Sequence, residues 1–198
     1  MVVDSFMKNR QIHGEKVVLV PYCHVHVSKY NNWMQDDDLQ YLTASEPLTL
    51  DQEYEMLKTW TNDPQKCTFI ILDKITFDIT KDQVESMIGD VNIFIDSHDD
   101  DQAEIEVMIA EKSHRAQGKG KEAVLMMIRF ASEVIGVKTF IAKIKYDNIN
   151  SQNMFLNLGF NETSKSDVFK EIQYNLVINN ESLGIIKTKT SIFDYRLL

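Results

Sequence analysis

Residues 103–131 run from a strand-like segment, AEIEVMIA, through the turn EKSHRAQGKG into an apolar stretch that opens KEAVLMMIRFA. Val124, Leu125, Ile128 and Ala131 recur at helical spacing, so the turn feeds a helix. This arrangement restricts the fold strongly. Backbone N–H groups at the start of a helix have no internal partners. Gly118 and Gly120 would let another group approach that backbone without meeting a Cβ atom. Arg115, Lys119 and Lys121 add positive charge around it, and the helix dipole adds more. A strand, a glycine turn and a helix in this order form a place for an anion.

The rest of the chain supplies a sheet for that unit to belong to. KVVLVPY (Lys16 to Tyr22) reads as a strand ended by proline, and KCTFIILD as another. Between them, VHVSKYNNWMQDDDLQYLT reads as two helical pieces. TLDQEYEMLKTW follows as a third helix, with Thr49 and Gln52 at capping-box spacing. Asp73 to Ser86 reads as a polar connection. MIGDVNIFID and AEIEVMIA form a hairpin across DSHDDDQ, and VKTFIAKI is a further strand. NSQNMFLNL is a short helix with Gly159 at its C-terminal cap. VFKEIQYNLVIN reads as one last long strand, and no element is assigned after Asn179. Strands first, then β–α–β–α–β, predict a mixed α/β sheet.

Composition narrows the function. The chain has 198 residues and a net charge of −9, which suits one domain and disfavours non-specific nucleic-acid binding. It leaves room for a local basic pocket or for a cationic substrate. Two cysteines, Cys23 and Cys67, make no disulfide framework and suit a reducing compartment. The first residues are too polar for a signal peptide, and no run reaches the length of a membrane helix. A cytoplasmic protein without a membrane or nucleic-acid partner is expected.

Three anion-binding templates compete for the turn. The Walker loop fails, because no Gly-x4-Gly-Lys-Ser/Thr pattern is present. The dinucleotide fingerprint fits formally, with Gly118, Gly120 and Ala123 as G-x-G-x-x-A. The next strand ends in Lys143 and Lys145 rather than an acid, which weakens NAD and leaves NADP open. The third template, Arg/Gln-x-x-Gly-x-Gly/Ala, matches Arg115-Ala116-Gln117-Gly118-Lys119-Gly120. That is the pyrophosphate loop of the GNAT acetyltransferases.

Taken together, EIEVMIAEKSHRAQGKGKEAVLMMIRFA, VKTFIAKIKYDN and NINSQNMFLNLGF resemble a GNAT acetyltransferase of the ribosomal-protein-acetyltransferase type. KVVLVPY, LTASEPLTLDQEYEM, KCTFIILD, GDVNIF and EIEVMIAE are similar to the N-acetyltransferase 9 branch of that family. The resemblance spans roughly residues 15–178. It divides the chain into an N-terminal extension (1–14), an acetyltransferase domain (15–178) and a C-terminal tail (179–198). It implies a mostly antiparallel twisted sheet, flanked by helices, with a splayed central strand pair. It also implies acetyl-CoA as co-substrate and no metal. The acceptor it implies is a protein or peptide, with the N-terminal methionine of tubulin as the target attributed to the branch.

Site residues follow from the same resemblance. The backbone of Val107, Met108 and Ile109 would pair with pantetheine. Arg115, Ala116, Gln117, Gly118, Lys119, Gly120 and Lys121 would cradle the phosphates, and Asn148 and Ser151 would face the cofactor near the thioester. Direct attack by an amine needs a proton acceptor and a route for the departing thiolate. Glu104 and Glu106, two apart on one strand, share a face opposite to Ile105 and Val107. Either could take the proton, and the resemblance favours Glu104. Where many family members carry a general-acid tyrosine, four residues before the glycine of LGF, this chain has Phe155. Ser151, Tyr146, water or unassisted departure would have to serve. Ala116 stands where glycine is common. The first helices line the acceptor groove in this family, which brings Tyr30, Trp33 and Tyr41 into consideration.

Other features carry less. Cys23, His24 and His26 are poorly spaced for one tetrahedral ion. The acidic runs Asp36 to Asp38 and Asp96 to Asp101 lack the glycine and distal glutamate of a calcium loop. They read as solvated turns able to orient a basic peptide. Two rival functions stay open at this point. One is an NADP-binding oxidoreductase. The other is a catalytically silent module that binds acetyl-CoA, microtubules or another protein.

Overall fold

Val17, Val18, Leu19 and Val20 are all fully buried, and a strand buried on both faces needs a packed layer on each side. In the computed structural model, which describes residues 10–96, 99 and 101–197, those layers are helices on either side of one nine-stranded sheet. The strands are β1 (Arg10–His13), β2 (Val17–Pro21), β3 (Lys66–Asp73), β4 (Met87–Ile95), β5 (Gln102–Ile109), β6 (Thr139–Lys145), β7 (Asn161–Ser166), β8 (Glu171–Val177) and β9 (Asp194–Leu197). Their order is β7-β8-β6-β5-β4-β3-β2-β1-β9. Only the β5–β6 pairing is parallel.

The helices are α1 (Val27–Trp33), α2 (Asp37–Thr43), α3 (Leu50–Asn62), α4 (Lys74–Thr80), α5 (Gln83–Ser86), α6 (Lys119–Phe130), α7 (Ile149–Leu158) and α8 (Asn180–Lys189). On one face α6 buries Val124, Met127 and Ile128 against Leu19, Phe69 and Ile105. On the other, Val27, Leu39 and Leu57 of α1, α2 and α3 cover Val20, Ile70 and Met108. The α3 capping box is present as the sequence indicates: Thr49 accepts from Gln52 N, and Gln52 Oε1 accepts from Thr49 N at 2.9 Å.

Three stretches differ from the sequence reading, each for a local reason. Asp73 to Ser86 is two short helices rather than a polar connection. Asp73 caps α4 through Thr76 N at 2.9 Å, and Asp82 caps α5 through Glu85 N at 3.0 Å. VFKEIQYNLVIN is not one strand: a turn with Lys170 at φ 54° separates β8 from an additional strand, β7. β7 reads NETSKS, and as an exposed edge strand it has no apolar alternation to betray it. After Asn179, an Asn179–Ser182 capping box starts α8, and β9 then pairs with β1. The acidic run at Asp36 caps α2 through Asp38 N and Leu39 N. Of the run Asp96 to Asp101, residues 97, 98 and 100 lie outside the described residues, as do residues 1–9.

The central feature is a parting of strands. β6 pairs with β5 only at Gln102, Ala103 and Glu104, while it runs on with β8 as far as Lys145. From Ile105 onward β5 leaves β6, and the gap is the splay the fold class requires.

Candidate active site

The splay opens a cleft of about 690 Å³. Glu104 to Met108 line one wall, Ala142 to Ile144 the other, and Asn148, Ser151 and Phe155 of α7 stand beside them. Leu42 to Ser45, at the end of α2, form part of the rim. Tyr41, next to that rim in sequence, has its hydroxyl 3.3 Å from Asp147 Oδ1 and its ring 5.6 Å from Lys145 Nζ.

Beyond β5 the turn leads into α6 and presents its first backbone amides. Gly118 is the N-cap of α6 at φ 79°, and no side chain caps that helix. The first N–H bonded within it is that of Glu122, to Gly118 O at 3.0 Å, so the amides of residues 119–121 remain for a ligand. A Cβ on Gly120 would meet Ile109 Cγ1 at 3.3 Å, which keeps the helix start tight against β5. Ala116 takes φ 58°, the left-handed region that glycine adopts without strain. This accounts for the glycine common at that position.

The cations of the turn divide unexpectedly. Lys119 is buried, with Nζ 2.6 Å from Asp73 Oδ1 and 2.7 Å from His114 Nδ1. It points into the protein and not to the rim, so only its backbone serves the cradle. Arg115 turns back on β5, giving Nε to Ile109 O at 2.8 Å and Nη2 to Ala110 O at 3.2 Å. Lys121 is exposed. Lys16, which no local pattern connects to the turn, brings its ammonium to Gln117 O at 3.1 Å. Gln117 Nε2 donates to Ser113 O. Glu122 accepts from the backbone N–H groups of Glu15, Lys16 and Val17, tying the β1–β2 turn to α6.

Glu104 and Glu106 do share one face, together with Asp90 and Asn92 of β4 and Lys66 of β3. Register sets Asn92 opposite Glu106 and Phe94 opposite Glu104 on one side, and Lys66 opposite Phe94 on the other. Glu104 is paired with Lys143 at 2.6 Å. Glu106 opens onto the cleft but is crowded by protein; loss of solvation, with the charges of Glu104 and Asp90, raises its pKa to about 7. Burial likewise raises Asp90 to about 6 and lowers Lys66 to about 8. Lys66 Nζ lies 2.9 Å from the Trp60 ring centroid and 4.1 Å from that of Phe94.

Residues 16–161 match the family model of the acetyltransferase (GNAT) domain. The chain belongs to the GNAT acetyltransferase family. It is similar to an N-acetyltransferase 9-like protein of Nematostella vectensis, 48% identical over 84% of this chain and 85% of that one. The human alpha/beta-tubulin-N-acetyltransferase 9 is 44% identical over 93% and 91%. Among solved structures, a spermidine N-acetyltransferase from Vibrio cholerae, in complex with CoA and spermine, superposes with a TM-score of 0.71 at 13% identity. It covers 85% of this chain and 98% of that one, a likeness of fold. The protein is an acetyl-CoA-dependent N-acetyltransferase, and the NADP alternative falls away.

The remaining expected residues of this acetyltransferase are distributed as follows. Asn148 caps α7 by accepting from Ser151 N at 3.2 Å, and both line the cleft. Phe155 is buried edge-on against Phe160 at 4.9 Å and has no proton to give. Tyr146 directs its hydroxyl to Asp167 on the β7–β8 turn, at 3.1 Å, and is not part of the cleft lining. Tyr30 lines the cleft, whereas Trp33 packs against Tyr30 and donates to Glu111 at 2.9 Å. His26 bonds Gln83 at 2.9 Å, and among the described residues no three His, Cys, Asp or Glu side chains are grouped to hold a metal. Among the described residues no helix is long and apolar enough to cross a membrane. Sequence reasoning did not single out Asp90 and Asn92, which line the cleft, Lys66 on the same sheet face, or Lys16 beside the glycine turn.

Proposed function

We propose that this enzyme acetylates the N-terminal amine of a protein, with the N-terminal methionine of tubulin as its acceptor in the cytoplasm. The observation that carries the reaction is Glu106: a carboxylate inside the splay, with a proton affinity raised to about 7. A base with that affinity is half ionised near neutral pH and is matched to an amine's proton. Similarity to the alpha/beta-tubulin-N-acetyltransferases of mouse, human and fly supports the acceptor.

Acetyl-CoA, when bound, supplies an acetyl group activated as a thioester. The amides at the start of α6, the turn from Arg115 to Lys121 and the rim cations Lys16 and Lys121 fit its phosphates. The edge of Val107 and Met108, from which β6 has parted, fits pantetheine, while Ile109 O already accepts from Arg115 Nε. Glu106 accepts the proton of the acceptor ammonium. Glu104, ion-paired with Lys143, adds its negative charge to the field that raises the Glu106 pKa. Ser151, beside Phe155 on α7, has a hydroxyl to give a proton to the departing sulfur, which Phe155 lacks.

Tubulin purified with free N-termini, incubated with acetyl-CoA and enzyme, should gain an acetyl group on Met1 of its own chains, located by fragment mass spectrometry. Turnover of unrelated free-methionine peptides with none on tubulin would reassign the acceptor. Cofactor binding without turnover of any amine would favour the silent module.

A further inference from the structure

Under the cleft, β4 carries two buried side chains whose hydrogen bonding is incomplete. Asp90 and Asn92 are 2% and 5% exposed, and both line the cleft. Asp90 Oδ2 accepts from Asn92 Nδ2 at 2.6 Å and from Tyr30 Oη at 3.4 Å. Asp90 Oδ1 and Asn92 Oδ1 have no donor among the described residues. Of the nearby cations, Lys143 is paired with Glu104 and Lys66 sits over Trp60 and Phe94. Buried oxygens without donors are expensive, and native proteins reserve them for water or a ligand.

We propose that Asp90 and Asn92 form the subsite that holds the acceptor's primary ammonium, through Asp90 Oδ1 and Asn92 Oδ1. The inference rests on the acetyl-transfer reading and adds what grips the amine before Glu106 takes its proton. An ammonium has three N–H donors, and this face offers three acceptors: the two free oxygens and the Glu106 carboxylate directly across from Asn92. A hydroxyl acceptor brings one donor and leaves two of the three unfilled. An ammonium there would give both oxygens the hydrogen bonds that water gives such groups, and add a charge. Asp90 keeps its negative charge throughout, so the product amide, which has lost that positive charge, is released.

The test compares a peptide with a free N-terminal methionine and its des-amino analogue, both titrated calorimetrically into the full chain saturated with coenzyme A. Wild type should bind the parent at least about tenfold more tightly, the equivalent of one charge-assisted hydrogen bond. Asp90→Asn should lose most of that preference while acetyl-CoA still raises its unfolding temperature. Asn92→Leu, which removes an acceptor without changing charge, should lose part of it and carries the test if the first variant does not fold. Variants that fold, bind acetyl-CoA and keep the full preference overturn the subsite alone. A wild type that binds acetyl-CoA but neither binds nor acetylates the peptide overturns the subsite and the acetyl-transfer reading together.

Discussion

Lys143 Nζ lies 2.6 Å from Glu104, two positions along β5 from Glu106, which has no such partner and is pushed up to about 7. Two carboxylates on one strand face are therefore unequal, one ion-paired with a lysine and one with its pKa raised by burial and by its neighbours' charges. The base must be ionised and the acceptor still an ammonium, so log kcat/KM should rise with pH up to about 7 and fall again above roughly 8, where an α-amine loses its proton. Glu104→Gln removes a like charge and frees Lys143, and both changes favour ionised Glu106. The rising limb should move to lower pH, with activity retained. A pH profile of both forms checks this, and an unmoved limb would mean another group sets it.

Lys119 should prove structural. Its ammonium and Asp73 are nearly enclosed, with side chains 10% and 5% exposed. Burial opposes the charge of Asp73, but hydrogen bonds from Lys119 and Thr76 hold its pKa below the usual carboxylate value. Lys119→Met strands that carboxylate and should cost about 3 kcal/mol, as for a buried pair broken on one side. Lys121→Ala, at an exposed site, should leave stability within about 0.5 kcal/mol. Denaturant unfolding of the two variants separates them.

Gly120 should decide cofactor binding. Acetyl-CoA at about a hundred times its Kd should stabilise wild type by roughly 2.7 kcal/mol. Gly120→Glu places bulk against Ile109 and negative charge at the cradle, and should abolish that stabilisation in thermal unfolding. NADPH should stabilise neither protein.

Ser151 and Phe155 share the cleft wall, and only the serine has a hydroxyl. Ser151→Ala should lower kcat by about 10²-fold, the lower range for a general acid, with little change in KM for acetyl-CoA. Adding Phe155→Tyr should recover part of that loss. Single-turnover rates of the two variants are the measurement, and an unimpaired Ser151→Ala would point to unassisted departure of the thiolate.

Local signals in the sequence revealed most of the frame. The Thr49–Gln52 box, the Gly118 turn and the Gly159 cap each act within a few residues, as does the two-residue spacing of Glu104 and Glu106. Equally local signals at Asp73–Thr76, Asp82–Glu85 and Asn179–Ser182 would have exposed α4, α5 and α8. Partners far apart in the chain are another matter. Lys16 meets Gln117, Lys119 meets Asp73, and β9 pairs with β1. None of these contacts has a periodic trace, because only the assembled sheet brings them together. The raised pKa of Glu106 was hidden for the same reason, since its main cause, burial, exists only in the assembled sheet, which also brings Asp90 from a neighbouring strand.

The most direct test of the account follows one acetyl group. Wild type and Glu106→Gln, each shown to bind acetyl-CoA by thermal shift, are mixed with a peptide bearing a free N-terminal methionine, and the product is read by fragment mass spectrometry. Wild type should place one acetyl on the α-amine, and Glu106→Gln should do so at least about a hundredfold more slowly despite normal acetyl-CoA binding. Equal rates from the two proteins would contradict Glu106 as the base.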